Sequence, residues 1–181
     1  MKKLLLVAIS CTMICLGADS NANWQMVLAD RLPAYGHRNW IVVADSAYPA
    51  QARDGIETIV ADADQVQVLQ AVLGALAKSK HVAPIIHLDQ ELQYLDDAQV
   101  PGVEAYRDSL AAIFKDKTVE AVPHEKLIAQ LDEVSQTFKI LIIKTNLTVP
   151  YTSVFLQLDC AYWGPEAEKG LRAKMAAAGV R

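Results

Sequence analysis

Two hydrophobic rhythms alternate along most of the chain, one spaced like an amphipathic helix and the other like a short buried strand. Trp24 to Tyr35 carries Trp24, Val27, Leu28 and Leu32 at helical spacing, loosens at Pro33, and has Gly36 where a helix C-terminal glycine belongs. Asn39 to Asp45 contains WIVVA, a β-branched run of the kind that is buried on both faces, and Ile56 to Val60 reads as a weaker strand. Asp64 to Lys78 sets Val68, Leu69, Val72, Leu73 and Leu76 on one helical face. His81 to Leu88 is a further strand, which Pro84 pushes toward a sheet edge. Gly102 to Phe114 is helical, Thr118 to Val122 extended, and His124 to Ser135 a helix begun by Pro123. Phe138 to Lys144 (FKILIIK) has the strongest strand character, and Thr152 to Leu158 follows closely enough to pair with it. Glu166 to Ala178 is an alanine-rich closing helix stopped by Gly179, an extra C-terminal element of about residues 164–178. Strands alternating with helices of this length predict an α/β fold. We expect a single domain over residues 23–181, three-layer α/β/α, with a mixed, mostly parallel sheet.

The first 22 residues read differently. Lys2 and Lys3 precede a nearly unbroken apolar run from Leu4 to Leu16, and Ser20 and Ala22 are placed as the small residues before a cut. This is the pattern of a secretory signal peptide cleaved after Ala22. A membrane anchor would need about 20 apolar residues, more than the run supplies. The expected product is exported, periplasmic or secreted, and free of the membrane once the signal is removed. Cleavage takes Cys11 and Cys15 with it, so Cys160 alone remains, no internal disulfide forms, and stability must come from packing. Losing Lys2, Lys3 and Asp19 also leaves 15 of 17 basic and 20 of 21 acidic residues, a net charge of −5. With no basic run and no aromatic–basic interleaving, a nucleic-acid partner is not expected.

Ligands of open α/β sheets bind outside the carboxyl ends of the strands, which singles out Asp45 and the Lys144-Thr145-Asn146 stretch. The bland reading of Asp45-Ser46 is a local side-chain turn. His37 follows a helix end, His124 opens a helix, and His81 and His87 read as structural. No HxH, HExxH or cysteine–histidine cluster is present, so no metal site is expected. A GxSxG elbow, a glycine-rich phosphate loop and a dinucleotide fingerprint are also missing, and Cys160 in LDCAYW reads as a buried thiol. No cofactor is expected.

Three segments, in order, resemble the D-ribose pyranase and L-fucose mutarotase family. They are Tyr35-Gly36-His37 with IVVAD-Ser46-Ala47-Tyr48-Pro49; Pro123-His124-Glu125; and Ile143-Lys144-Thr145 followed by Pro150-Tyr151. Tyr106-Arg107 is similar to a stretch of the fucose branch, and the likeness runs from about Met26 to Leu158. The resemblance implies an isomerase that interconverts anomers or ring forms of a free monosaccharide by proton transfer. On that reading His37, Asp45 and Tyr151 are catalytic, with His37 the principal acid/base, and His124, Lys144, Ser153 and Arg107 bind substrate. It also implies a homo-oligomer, a ring-shaped decamer in which the tyrosine segment reaches a neighbour's site. Departures are Ser153 where the family has Asn, Ile128 where the ribose branch has Lys, and Leu147 where a carboxylate is usual. The alternative they support is a non-catalytic sugar-binding or scaffold protein on the same fold.

Overall fold

The computed structural model describes residues 20–179. The expected signal peptide lies outside these residues except for its last three, which open the first helix. Among the described residues the helices are α1 (Ser20–Arg31), α2 (Gln65–Lys78), α3 (Val103–Ile113), α4 (His124–Val134) and α5 (Pro165–Ala177). The strands are β1 (Trp40–Ala44), β2 (Ile56–Val60), β3 (Val82–Asp89), β4 (Val119–Val122), β5 (Ile140–Lys144) and β6 (Val154–Cys160). They form one mixed sheet in the order β2-β5-β1-β6-β3-β4. β2, β5 and β1 are mutually parallel, as are β3 and β4, and β6 runs antiparallel to both β1 and β3. Five strands therefore share one direction and β6 joins the two parallel blocks. This is the α/β architecture that the alternating pattern predicts.

Two expectations about the sheet are corrected. Thr152–Leu158 does not pair with Phe138–Lys144. β5 has both flanks filled, in register with β1 and β2, so the chain steps over β1 through residues 145–153 and enters between β1 and β3. Nor does Pro84 mark an edge strand, because β3 lies between β6 and β4. The proline is tolerated because β4 pairs only with Ile86–Asp89, leaving the Pro84 stretch without a neighbour on that side. Gly36 also differs from expectation. The left-handed backbone falls on Arg38 (φ 74°), while Gly36 donates its N–H to Asn39 Oδ1 at 2.8 Å in the turn before β1.

Strand alternation divides the core. Ile41, Val43, Leu141, Ile143 and Leu156 face α1, α2 and α3, whereas Trp40, Val42, Ile140, Ile142 and Phe155 lie beneath Leu127 and Leu131 of α4. β1 and β5 are thus buried on both faces, which is why WIVVA and ILIIK show no polar alternation. α2 is capped by Asp64, whose carboxylate accepts the Gln67 N–H at 3.1 Å. At the far end of α4, a Cβ on Gly55 would sit 1.9 Å from the Ser135 carbonyl oxygen, so only glycine lets the approach to β2 pass this close. α5 forms where the alanine-rich pattern predicts and ends before Gly179 (φ 72°), but it buries none of its residues. Cys160, expected in the core, is half-buried at the end of β6. No helix among the described residues is long and apolar enough to cross a membrane.

Candidate active site

Because β6 alone runs backwards, its first residues meet the carboxyl ends of the other five strands at one edge of the sheet. Asp45 follows β1, Asp89 ends β3, Pro123 and His124 follow β4, Lys144 ends β5, and Tyr151 to Ser153 lead into β6. The backbone therefore collects two carboxylates, an imidazole, a lysine, a phenol and a hydroxyl from segments distant in sequence.

The centre of this edge is a pair that the motif reading passed over. His124 Nδ1 lies 3.0 Å from Asp89 Oδ1, and the Asp89 side chain has no solvent exposure. An ionised carboxylate can only accept, which assigns the proton to Nδ1 and leaves Nε2 as the lone-pair nitrogen. Nε2 has no hydrogen-bond partner among the described residues. The Asp89 carboxyl is pushed up to about 6, chiefly by burial; its contact with His124 opposes the rise, and the charges of Glu91 and Asp45 add to it. Its second oxygen, Oδ2, is buried without a partner. Glu91 accepts the His124 backbone N–H on both oxygens, at 3.1 and 3.0 Å, and so places a carboxylate at the N-terminus of α4. The Tyr151 ring stands edge-on to His124, with centroids 5.4 Å apart.

Asp45 is held beside this pair. Its Oδ2 accepts the Ser153 hydroxyl at 3.0 Å and its Oδ1 accepts the Ala47 N–H at 2.9 Å, so the local turn and a cross-strand contact coexist. Lys144 Nζ donates to the Tyr48 carbonyl at 2.7 Å and latches the 45–51 loop to the end of β5. The Tyr48 hydroxyl is pushed upward by burial and by the charges of Asp89 and Asp45.

One expected site residue, His37, is not brought to this edge, and another, Arg107, reaches it from the opposite face of the sheet. His37 is exposed in the turn before β1, while Asp45 follows the other end of that five-residue strand. At about 3.3 Å per residue the strand separates the two, so within one chain Asp45 holds the Ser153 hydroxyl and does not reach His37. Arg107 lies on α3, against the opposite face from α4. It donates to the carbonyls of Leu92 and Leu95, just past the end of β3, and borders an apolar groove of about 490 Å³ with Asp89, Leu110 and Phe114. The other histidines take structural places. His81 sits between Ser79 Oγ (2.8 Å) and the Tyr35 carbonyl (3.0 Å), and His87 stacks on Trp40 with its pKa lowered by burial. No group of three or more metal-ligating side chains is gathered among the described residues.

The model of the RbsD / FucU transport protein family matches residues 25–160. The chain belongs to this family. The match contains every residue of the edge just described and stops at the end of β6, before α5. Two solved family structures share the fold. One is Bacillus subtilis RbsD complexed with D-ribose, at TM-score 0.50 and 21% identity over 77% of this chain and 92% of that one. The other is the fucose mutarotase from Streptococcus pneumoniae in complex with L-fucose, at TM-score 0.50 and 19% identity over 74% and 91%. Comparison with curated proteins finds no match.

The raised Asp89 carboxyl gives this family member a testable pH signature. The folded group holds its proton more tightly than an unfolded aspartate, so its stabilising contribution is full below about pH 4 and is lost as pH rises through about 6. In urea titrations at pH 4 to 7, wild type should lose roughly 2–3 kcal/mol relative to Asp89→Asn across that window. A pH-independent difference between the two proteins would mean that Asp89 is not the buried titrating group.

Proposed function

We propose that the protein is a cofactor-independent monosaccharide isomerase of the mutarotase or pyranase type. The observation that carries this reading is the pair of buried Asp89 and half-buried His124, whose Nε2 has no partner among the described residues and whose ring lies against the Tyr151 ring. Ring opening of a cyclic sugar needs a base for the anomeric hydroxyl proton and an acid for the ring oxygen. His124 Nε2 accepts the hydroxyl proton as the bond from the anomeric carbon to the ring oxygen breaks, and Tyr151 delivers a proton to that oxygen. Rotation and re-closure by the reverse transfers give the other anomer, and closure through a different hydroxyl gives the other ring size. Asp89 keeps the imidazole tautomer fixed, and Asp45 with Ser153 holds a sugar hydroxyl. No electrons or groups are transferred, so the scheme needs only proton-handling side chains. That two structures sharing this fold hold D-ribose and L-fucose supports a free monosaccharide as ligand.

His37 enters this scheme only from another copy, since in its own chain β1 separates it from Asp45. A homo-oligomer with sites shared between neighbours, such as a ring-shaped decamer, is therefore part of the proposal. Export is also part of it, on the strength of the Lys2-Lys3 and Leu4–Leu16 pattern.

Saturation-transfer NMR on free ribose, fucose, galactose and glucose tests the function. Accelerated exchange between anomer or ring-form signals of at least one sugar is the expected result. Sugar-induced shifts without acceleration would replace the isomerase with a sugar-binding protein on the same fold.

A further inference from the structure

Tyr151 has a backbone φ of 57°, a left-handed conformation that bulky residues adopt rarely and only where their surroundings impose it. The imposing structure lies behind it. The Thr152 carbonyl is buried and accepts two hydrogen bonds, one from the Tyr106 hydroxyl at 2.7 Å and one from the Gln65 carboxamide. The same carboxamide donates to the Tyr106 oxygen at 2.7 Å, and its Oε1 lies 2.9 Å from the Thr145 hydroxyl. The Thr152 hydroxyl closes the loop onto the Val149 carbonyl at 2.7 Å. Gln65 and Thr152 are completely buried, Thr145 and Tyr106 nearly so.

In this network every side-chain donor of Gln65 and Tyr106 is used, and both lone pairs of the Thr152 carbonyl are filled. It links the first turns of α2 and α3 and the residue after β5 to the residue that follows Tyr151. A loop that needed only to have its polar groups satisfied could do so in relaxed backbone. Here the fully used network coincides with a strained residue whose ring meets His124.

We propose that Gln65 and Tyr106 are positioning residues that hold Tyr151 in its left-handed backbone and so set its phenol against His124. The inference rests on the reading of this edge as a sugar-isomerising site, with Gln65 and Tyr106 acting through Tyr151 rather than on the sugar. Tyr106→Phe keeps the ring and removes one of the two bonds to Thr152; Gln65→Met removes the other with little change in side-chain length.

Two readouts test the proposal, one of them without sugar. Because the Tyr151 ring stands edge-on to His124, its ring current shifts the carbon-bound imidazole protons, and Tyr151→Leu defines the shift when the ring is absent. Tyr106→Phe is expected to move the His124 signals toward the Tyr151→Leu values, and to lower kcat about 10- to 100-fold with KM changed less than about 3-fold. If Tyr106→Phe does not fold, Gln65→Met is put to the same measurements. Unmoved His124 signals in a folded variant would overturn the proposal, as would a lowered Tm with kcat unchanged, which marks a purely structural network. If wild type accelerates no sugar, the isomerase reading fails, while the His124 shift still decides whether the network positions Tyr151.

Discussion

Replacing His124 by glutamine is expected to slow protein-driven sugar exchange about 10²–10⁴-fold, the usual worth of a positioned acid/base. Glutamine keeps a polar group that can reach Asp89 but cannot cycle a proton near neutral pH, so the loss should fall on exchange rather than on sugar binding. Sugar-induced chemical shifts measured beside the exchange rate separate the two effects. A variant that exchanges sugar at the wild-type rate would remove His124 from the chemistry. His37→Ala makes the complementary experiment. If His37 serves a neighbour's site, two inactive variants, His37→Ala and His124→Gln, should regain activity when unfolded and refolded together. Random assortment of two chain types at a shared site predicts recovery of about a quarter of the wild-type rate. Mixing without recovery would assign both losses to one chain, where the structure keeps the two histidines on opposite edges.

That contrast marks how far the sequence could be read toward the site. Asp45 and Lys144 were reachable because polar residues just past the carboxyl end of an apolar strand mark where ligands of open sheets bind, whereas Ser153 was reachable only through the family resemblance. Asp89 ends a strand in the same way, yet it was passed over. The strand read from the sequence stops at Leu88, one residue short of it, with Pro84 pointing to a sheet edge. Once β3 is seen to be interior, its terminal aspartate becomes a carboxylate buried beside a histidine 35 residues away. The signal that could have found it is HLDQE itself, two acids just past a strand end and followed by a turn. Glu91 was missed for the same reason. Arg107 was legible only through a matching motif, and in the structure its Nη1 donates to the carbonyls of Leu92 and Leu95, just past the end of β3.

The fold was more legible than its wiring. Apolar run length and helical spacing located the elements to within a few residues, since both follow from which side chains face the core. Pairing does not follow from those patterns. FKILIIK and TSVFLQL are neighbours in sequence and both apolar, and a short connection favours pairing them. What decides otherwise is that β1 and β2 already flank β5 in register, a competition between distant segments that no local window contains.

The consequence for stability is that the junction strand matters most. Phe155 is the second residue of β6, fully buried, opposite Val42 on one side and His87 on the other, with the Tyr48 ring 6.2 Å away. Truncating it in Phe155→Ala should cost about 3–5 kcal/mol through lost burial and an unfilled cavity. For a chain of this size that corresponds to a fall in Tm of roughly 6–20 °C, a large part of the total stability of an ordinary domain. The damage falls where the β2-β5-β1 block is stitched to the β3-β4 block, and these blocks contribute Asp45 and Lys144 on one side and Asp89 and His124 on the other. Phe155→Ala should therefore weaken sugar binding and lower the Tm together, whereas Phe155→Leu, which keeps most of the volume, should lose less of both. Thermal denaturation alongside sugar titration measures the pair. A Phe155→Ala protein with an unchanged Tm would mean that the two halves of the sheet are held together elsewhere.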